Sequence, residues 1–194
     1  LIPSGLFAVN TFTGSFTGST QAFTAADSAT TRVNDGDSFG FWFQPTNTTQ
    51  NFFIRQRTNE SGFGVDVLTA GAVRLGLGEG IGFDFFNTNF TAQTNEWNHI
   101  GFYFNSPNIK IYWNGISTTT IAGSAIDPAL SALGIGSDNL LETRIGYVDD
   151  VRYYQAQDHD WGLDYNCRLT SEAGLAAHWN LDNSLADSSG NGNN

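Results

Sequence analysis

The chain has 194 residues, of which 40% are hydrophobic and 14% charged, and its formal net charge is −11. Eight Lys and Arg residues cannot form the basic surface that nucleic acid requires, and the acidic charge also disfavours an anionic membrane surface. Sixteen Phe, five Trp and six Tyr residues occur beside 22 Gly, a composition typical of half-buried pleated strands joined by tight turns. The length fits one all-β domain with an extension.

Alternating aromatic residues give the clearest strand signal. Between residues 37 and 45, Phe39, Phe41 and Phe43 fall on one face at period two. Residues 1–30 alternate only weakly and predict short edge strands and loops. Further strands are predicted at residues 51–57, 62–68, 72–77, 81–86, 96–104, 109–113, 133–136 and 143–154. No segment shows the period of an amphipathic helix, so the chain predicts a two-sheet antiparallel β-sandwich of the jelly-roll type.

The strand pattern breaks after residue 155. Residues 156–174 are polar and predict a connector, which leads to a last strand near residues 174–181 and a Gly/Asn/Ser-rich loop. Cys167 is the only cysteine, so no disulfide can form within the chain. No apolar run is long enough to span a bilayer.

Three ordered segments of the sandwich carry a likeness to a known family. They are residues 38–45 (SFGFWFQP), residues 96–104 with their hairpin partner 109–115 (EWNHIGFYF, IKIYWNG), and residues 145–154 (IGYVDDVRYY). In order and spacing they resemble the laminin-G-like domains of the concanavalin A-like lectin/glucanase superfamily. The resemblance implies that residues 1–155 form a two-sheet jelly roll.

The end of the chain resembles the beginning of the same family's domain. Residues 175–194 contain LAAHWNLD followed by DSSGNGN, which is similar to the family's opening strand and first loop. Three explanations stay open: one period of a tandem repeat, a circular permutation, or a strand that pairs with the sheet edge of another copy. The residues predicted to make such assembly contacts are Leu175, His178, Trp179 and Leu181.

The resemblance also implies a structural calcium ion. Related glucanase-type jelly rolls hold calcium between the opening segment and the acidic residue of the closing strand. By that likeness Asp149 or Asp150 would meet the loop that contains Asp187 and Asn191, whose oxygen atoms suit a hard cation. The alternative is a solvated turn, with Asp149 paired to a nearby arginine.

No catalytic arrangement is evident in the sequence. The β-glucanases of this superfamily need facing carboxylates, and their Glu-x-Asp-x-x-Glu strand has no match here. A Gly-x-Ser-x-Gly nucleophile motif is also missing. Trp113 and Trp161 are candidate platforms for a glycan, although the position of Trp161 favours an anchor for the polar connector over sugar binding.

These features predict a non-catalytic module that works outside the cell, on a cell surface or on a virion surface. The first hypothesis is a structural or adhesive repeat of a fibre, filament or virion appendage, which assembles with other copies of itself through the terminal strand. The alternative is a calcium-dependent carbohydrate-binding module of the lectin type. Packing of residues 175–194 as an ordinary terminal strand of their own sandwich would count against both a strand donated to another copy and a tandem array.

Overall fold

The fold was analysed in a computed structural model of the chain. The residues it describes are 14–16, 23–47, 51–58, 60–123, 125–136, 146–166, 173–181, 184 and 186–193. The predicted weak strands and loops before residue 14 lie outside the described residues, as does Cys167.

The regular elements of the described residues are strands, apart from a 3-10 turn at Thr69–Gly71 and a short helix α1 at Trp161–Asn166. The strands are β1 (Gly14–Phe16), β2 (Phe23–Ala25), β3 (Ser38–Pro45), β4 (Asn51–Arg57), β5 (Ser61–Val67), β6 (Ala72–Glu79), β7 (Phe83–Thr91), β8 (Asn98–Asn105), β9 (Asn108–Trp113), β10 (Ile116–Ala122), β11 (Leu133–Ile135), β12 (Gly146–Tyr154) and β13 (Leu175–Trp179). None of the helices in the described part of the chain is long and apolar enough to cross a membrane.

The strands are arranged in two antiparallel sheets. Sheet A has the order β1-β12-β3-β8-β9-β10, and β13 also pairs with β12. Sheet B has the order β2-β11-β4-β5-β6-β7. The predicted two-sheet antiparallel jelly roll is therefore confirmed.

The core lies between the sheets and is built from the alternating aromatic residues. Phe39, Phe41 and Phe43 of β3 are completely buried, as the period-two pattern predicts. Phe63 of sheet B meets them across the sandwich, with its ring centroid 5.0 Å from that of Phe39 and 5.8 Å from that of Phe104. Edge-to-face and tilted rings of this kind fill the core together with Ile, Leu and Val side chains and without Met.

Two elements differ from the sequence prediction. Strand β10 was not predicted, because its Ser/Thr-rich segment lacks apolar alternation and lies at an edge of sheet A, where only one neighbour constrains it. Helix α1 was not predicted either, because six residues are too few to show a helical period.

The last strand lies in the sandwich of its own chain. β13 pairs antiparallel with β12, and the register places Trp179 opposite Val151 and Ala177 opposite Tyr153. β1 pairs with the other half of the same edge, where Gly14 lies opposite Val148. The two ends of the described chain therefore share one edge of β12.

The predicted connector crosses the face of sheet A that is turned away from the core, here called the outer face. We call its described part, residues 156–166, the strap. Trp161 of the strap is completely buried, and its indole lies directly on Gly40 and Gly101 of the sheet. A Cβ atom would come within 2.6 Å of the indole at Gly40 and within 2.4 Å at Gly101. The two glycines therefore provide the space that the strap requires.

His99 is buried beneath the strap among aromatic rings. Its ring centroid lies 5.2 Å from that of Trp42, 5.6 Å from that of Trp161 and 6.4 Å from that of Tyr165. Burial lowers the pKa of His99 from 6.5 to about 4, although the carboxylates of Asp164 and Asp150 act in the opposite direction. The imidazole is therefore neutral at physiological pH.

We expect Gly101→Ala to destabilise the fold by about 1–3 kcal/mol, because the added methyl group overlaps the Trp161 indole. Chemical denaturation measures this difference. Gly82→Ala is the matched control, since a Cβ atom there meets no heavy atom within 4 Å. Equal effects of the two substitutions would contradict the packing of Trp161 on sheet A.

We expect stability to decline as the pH falls from about 6.5 to about 4, because the unfolded chain binds a proton at His99 in this range and the folded chain does not. A pKa difference of this size corresponds to about 3 kcal/mol. Denaturation at a series of pH values should show a shallower decline for His99→Phe than for the wild type. An unchanged slope would show that His99 does not cause the decline.

Candidate binding site

A β-bulge in β12 sets the direction of two charged side chains. The register between β12 and β3 shifts between Asp149 and Arg152, and Asp150 adopts a left-handed backbone conformation with φ 50°. Val148 and Val151 face the core on either side of this bulge. Asp150 and Arg152 consequently both point to the outer face of sheet A.

A buried network of charged groups joins three separate segments through Arg152. Its Nε donates to Asp150 Oδ1 over 3.0 Å, and its Nη1 donates to Asp164 Oδ1 of the strap over 2.8 Å. His159 Nε2 of the strap lies 2.8 Å from Asp164 Oδ2, and His178 Nε2 of β13 lies 2.6 Å from Asp150 Oδ1. Each of these five residues is at most 5% exposed. The network holds β12, the strap and β13 together.

The charge of Arg152 is secured by its carboxylate partners. Burial lowers the pKa of Arg152, but Asp150 and Asp164 outweigh burial and raise it above its ordinary value. The network therefore contains a permanent cation between two carboxyl groups. The predicted assembly residue His178 belongs to this network, as does the predicted metal ligand Asp150.

The predicted calcium loop is organised by Asp187. Its Oδ1 accepts hydrogen bonds from the backbone N–H groups of His178 and Ser189, each at 2.9 Å. Its Oδ2 accepts from the backbone N–H of Asn193 at 3.0 Å and from Ser189 Oγ at 2.8 Å. Burial raises the pKa of Asp187, but these backbone donors outweigh burial and lower the pKa below its ordinary value. The carboxylate of Asp187 therefore holds the loop in place through these hydrogen bonds.

The predicted metal ligands do not fit a calcium ion as they are arranged. Both oxygens of Asp150 accept hydrogen bonds from Arg152, and a guanidinium at that position repels a divalent cation. Asp149 Oδ1 accepts the backbone N–H of Asp150, while the amide nitrogen of Asn191 donates to the carbonyl of Ala176. Among the described residues, no group of three or more His, Cys, Asp and Glu side chains could hold a metal ion. Calcium binding at these residues stays a prediction of the family resemblance alone.

The remaining predicted assembly residues pack into the sandwich of the same chain. Trp179 is completely buried, its ring lies 6.4 Å from that of Phe23, and its Nε1 donates to the carbonyl of Asn193 over 3.0 Å. Leu181 is 5% exposed and belongs to the core. Leu175 packs against the small cluster formed by Tyr112, Tyr154 and Trp161.

Both tryptophans predicted as glycan platforms pack against other side chains of the chain. Trp161 of the strap is completely buried against Gly40 and Gly101 of sheet A. Trp113 is half-buried at the edge of the core, where it stacks on Phe90 with centroids 5.0 Å apart and planes at 5°. Both rings serve packing within this structure.

The outer face of sheet A carries a different set of rings beside the strap. Trp97 is 39% exposed, and its ring centroid lies 6.4 Å from that of half-buried Tyr147. Gln44 is the register partner of Tyr147, and its amide nitrogen donates to the carbonyl of Asn95 over 2.9 Å. These side chains lie together on one face although the chain separates them widely.

The strap supplies one wall of this surface. Tyr165 of helix α1 stacks on Trp42 of β3, with centroids 5.3 Å apart and planes at 16°. Trp42 lies two residues before Gln44 and therefore on the same face of β3. We call the surface of Trp42, Gln44, Trp97, Tyr147 and Tyr165 the aromatic strip.

The aromatic strip was missed because its signal is spread over four segments. Alternation in residues 96–104 puts Trp97 on the face opposite Ile100 and Phe102, which the structure buries in the core. The same rule puts Trp42 opposite the core residues Phe41 and Phe43. The pairing of β3 with β8 and β12, which brings the rings together, is not encoded in any one of these segments.

Comparisons with known proteins agree with this architecture. A laminin-G type family model described as the concanavalin A-like lectin/glucanases superfamily matches residues 17–157. A heptameric SAP-like pentraxin from Limulus polyphemus has a similar structure, with a TM-score of 0.56, 16% sequence identity, and coverage of 79% of this chain and 81% of the pentraxin chain. A search of curated proteins finds no match.

Toxin binding domains are further structural neighbours. The binding domain of botulinum neurotoxin serotype G gives a TM-score of 0.55 with 16% identity and covers 73% of this chain. Botulinum neurotoxin type C enters cells in dependence on interaction with two ganglioside molecules. Its structure matches with a TM-score of 0.52 and 18% sequence identity over 67% of this chain. The matches span 39% and 35% of those two toxin chains, so they concern less than half of each. Since the family model covers most of the sandwich, the chain belongs to the concanavalin A-like lectin/glucanase superfamily, with a domain of the laminin-G type.

Proposed function

We propose that this protein is a non-catalytic extracellular module that binds glycans on the aromatic strip. The observation that carries the proposal is the pair of rings of Trp97 and Tyr147, which lie 6.4 Å apart on the outer face of sheet A with Gln44 beside them. Trp97 keeps 39% of its surface exposed, although large apolar side chains are usually covered. A ring held in this way is available to a ligand.

The chemistry of the strip suits a sugar ring. The C–H faces of a pyranose are apolar and pack on the flat surface of an indole or phenol ring. The hydroxyl groups at its edge need hydrogen-bond partners, which the amide of Gln44 and the hydroxyl groups of Tyr147 and Tyr165 can supply. A few polar groups placed among aromatic side chains are the usual composition of a small-molecule site.

Rigid support favours binding on this surface. Trp42 is held between Tyr165 and His99, and the strap that carries Tyr165 is anchored by Trp161 and by the pair Arg152–Asp164. A preorganised surface loses little conformational entropy when a ligand binds. The rings of the aromatic strip are therefore in place before a glycan binds.

The comparisons support a binding role without fixing the ligand. The type C toxin neighbour interacts with gangliosides, and a related toxin binding domain was solved in complex with rat synaptotagmin II. Similarity below 20% identity carries the fold to this chain but not the ligand. The strip itself is therefore the basis for proposing a glycan.

A structural or adhesive repeat of a fibre, filament or virion appendage is our second proposal. It is supported by the terminal segment, a separate strand and loop that resembles the beginning of another domain of the same kind. β13 is paired with β12 of its own chain, so assembly through this strand requires β13 to leave that position. Adhesion and glycan binding are compatible roles for one module.

We expect Trp97→Ala to weaken glycan binding at least about tenfold, because the substitution removes the most exposed ring of the strip. A glycan array identifies the ligand, and titration calorimetry then measures the Kd for the wild type and the variant. Unfolding midpoints should stay similar, since Trp97 contributes little to the core.

Phe85→Ala is the matched control for that measurement. Phe85 is 41% exposed, close to the 39% of Trp97, but it lies in β7 of sheet B. The control should keep the wild-type Kd. Full binding by Trp97→Ala would contradict binding on the aromatic strip. Loss of binding in Phe85→Ala would place the glycan site on sheet B instead.

We expect the Tm measured in millimolar calcium and the Tm measured in a chelator to agree within about 1 °C. A ligand present at about a hundred times its Kd stabilises a protein by roughly 2.7 kcal/mol, which a thermal scan detects readily. A calcium-dependent rise in Tm that Asp187→Asn abolishes would instead establish the site that the family resemblance implies. The same scan with bound glycan tests whether calcium is needed for recognition.

A further inference from the structure

We infer that the edge of β12 occupied by β13 is a docking site for the terminal segment of a second copy of this chain, so that two copies can exchange residues 173–193. This exchange concerns the second proposed role, assembly, and is independent of glycan binding on the strip. The occupant is defined by the structure, because the same segment already fills the site in its own chain.

The site combines a backbone ladder with a deep pocket for side chains. β13 pairs along Val151–Tyr154 of β12. Its residues Ala177 and Trp179 are completely buried against the core. When the segment is displaced, the ladder groups of β12 and a cavity the size of a tryptophan are left uncovered. An unpaired edge with an apolar pocket strongly favours a new strand.

The charged network makes the site specific for this segment. His178 Nε2 lies 2.6 Å from Asp150 Oδ1, in a region where both side chains are buried. At the far end, Asn193 Oδ1 accepts hydrogen bonds from Ser28 Oγ and Thr30 Oγ1 in the loop after β2. A strand without a histidine and an asparagine at these positions would lose the contact with Asp150 and the hydrogen bonds from Ser28 and Thr30.

The terminal segment carries its own internal structure. Ser188 donates both its backbone N–H and its Oγ to the carbonyl of His178, and Asn193 Nδ2 donates to the carbonyl of Ala176. Asp187 and Trp179 add the bonds described above, so the loop folds back on its strand. These contacts move with the segment and are not lost when it changes partner.

The remaining contacts join the terminal segment to the rest of the sandwich, and a second copy of the chain can make the same contacts. They are side-chain contacts and the short ladder between β12 and β13. A second copy therefore offers the same contacts as the chain itself, which is the condition for exchange of an identical element between protomers. Protein concentration and the effective concentration of the linked segment then decide which partner fills the site.

The experiment uses two populations of the full chain that carry different affinity tags. They are unfolded together, refolded at low and at high protein concentration, and analysed by size-exclusion chromatography with light scattering and by sequential capture on both tags. We expect doubly tagged dimers whose fraction rises with the concentration during refolding. Monomers at every concentration would overturn the inference.

A synthetic peptide of residues 173–193 identifies the surface that forms the dimer. Excess peptide present during refolding should suppress the doubly tagged dimer, because it occupies the edge of β12. Peptide carrying Trp179→Ala should compete at least about a hundredfold less well. Peptide carrying Ala186→Ser, a change at an exposed position, should compete like the wild type. Because the receiving chain is unchanged, a folding defect cannot produce the difference.

Dimers that persist in excess wild-type peptide would overturn the inference, because they would use another surface. The Trp97→Ala chain should exchange as the wild type does. Failure of glycan binding and failure of exchange are therefore separate results.

Discussion

The ion pairs of Arg152 are the interaction on which the rest of the outer face depends. A guanidinium buried between Asp150 and Asp164 gains little net stability, since desolvation offsets most of its attraction to the two carboxylates. Removing one partner costs about 3–5 kcal/mol, because a buried charge is left uncompensated. The network therefore contributes specificity: only one placement of the strap satisfies Asp164, and only one register of β13 brings His178 to Asp150.

That constraint reaches the aromatic strip through the strap. With Asp164 fixed on Arg152, the indole of Trp161 is held on Gly40 and Gly101, and Tyr165 at the next position is held on Trp42. The part of sheet A under the strap becomes a second small core, while the neighbouring part keeps Trp97 and Tyr147 accessible. One buried arginine thus decides which rings of the outer face serve packing and which can serve recognition.

The sequence predicts the sandwich well because alternation is a local property. The alternation of Phe39, Phe41 and Phe43 predicts β3 without any other segment, and the other core strands show the same period-two alternation. The site is less predictable because its partners are distant in the chain. Asp150 has the composition of a calcium ligand, but Arg152 and His178 occupy its oxygens in the folded chain. Trp161 has the position of an exposed ring, but two glycines of other strands bury it.

The geometry of β12 allows assembly and recognition in the same molecule. β1 and β13 both run antiparallel to β12 along one edge, with Trp179 opposite Val151 and Gly14 opposite Val148. The bulge at Asp149 and Asp150 separates these two stretches. Tyr147 belongs to the stretch paired with β1, whereas the terminal segment pairs only beyond the bulge. A copy that accepts the terminal segment of another therefore keeps its own aromatic strip intact. Linked copies would present one strip each, and a chain of weak glycan sites binds a surface more tightly than any single site does.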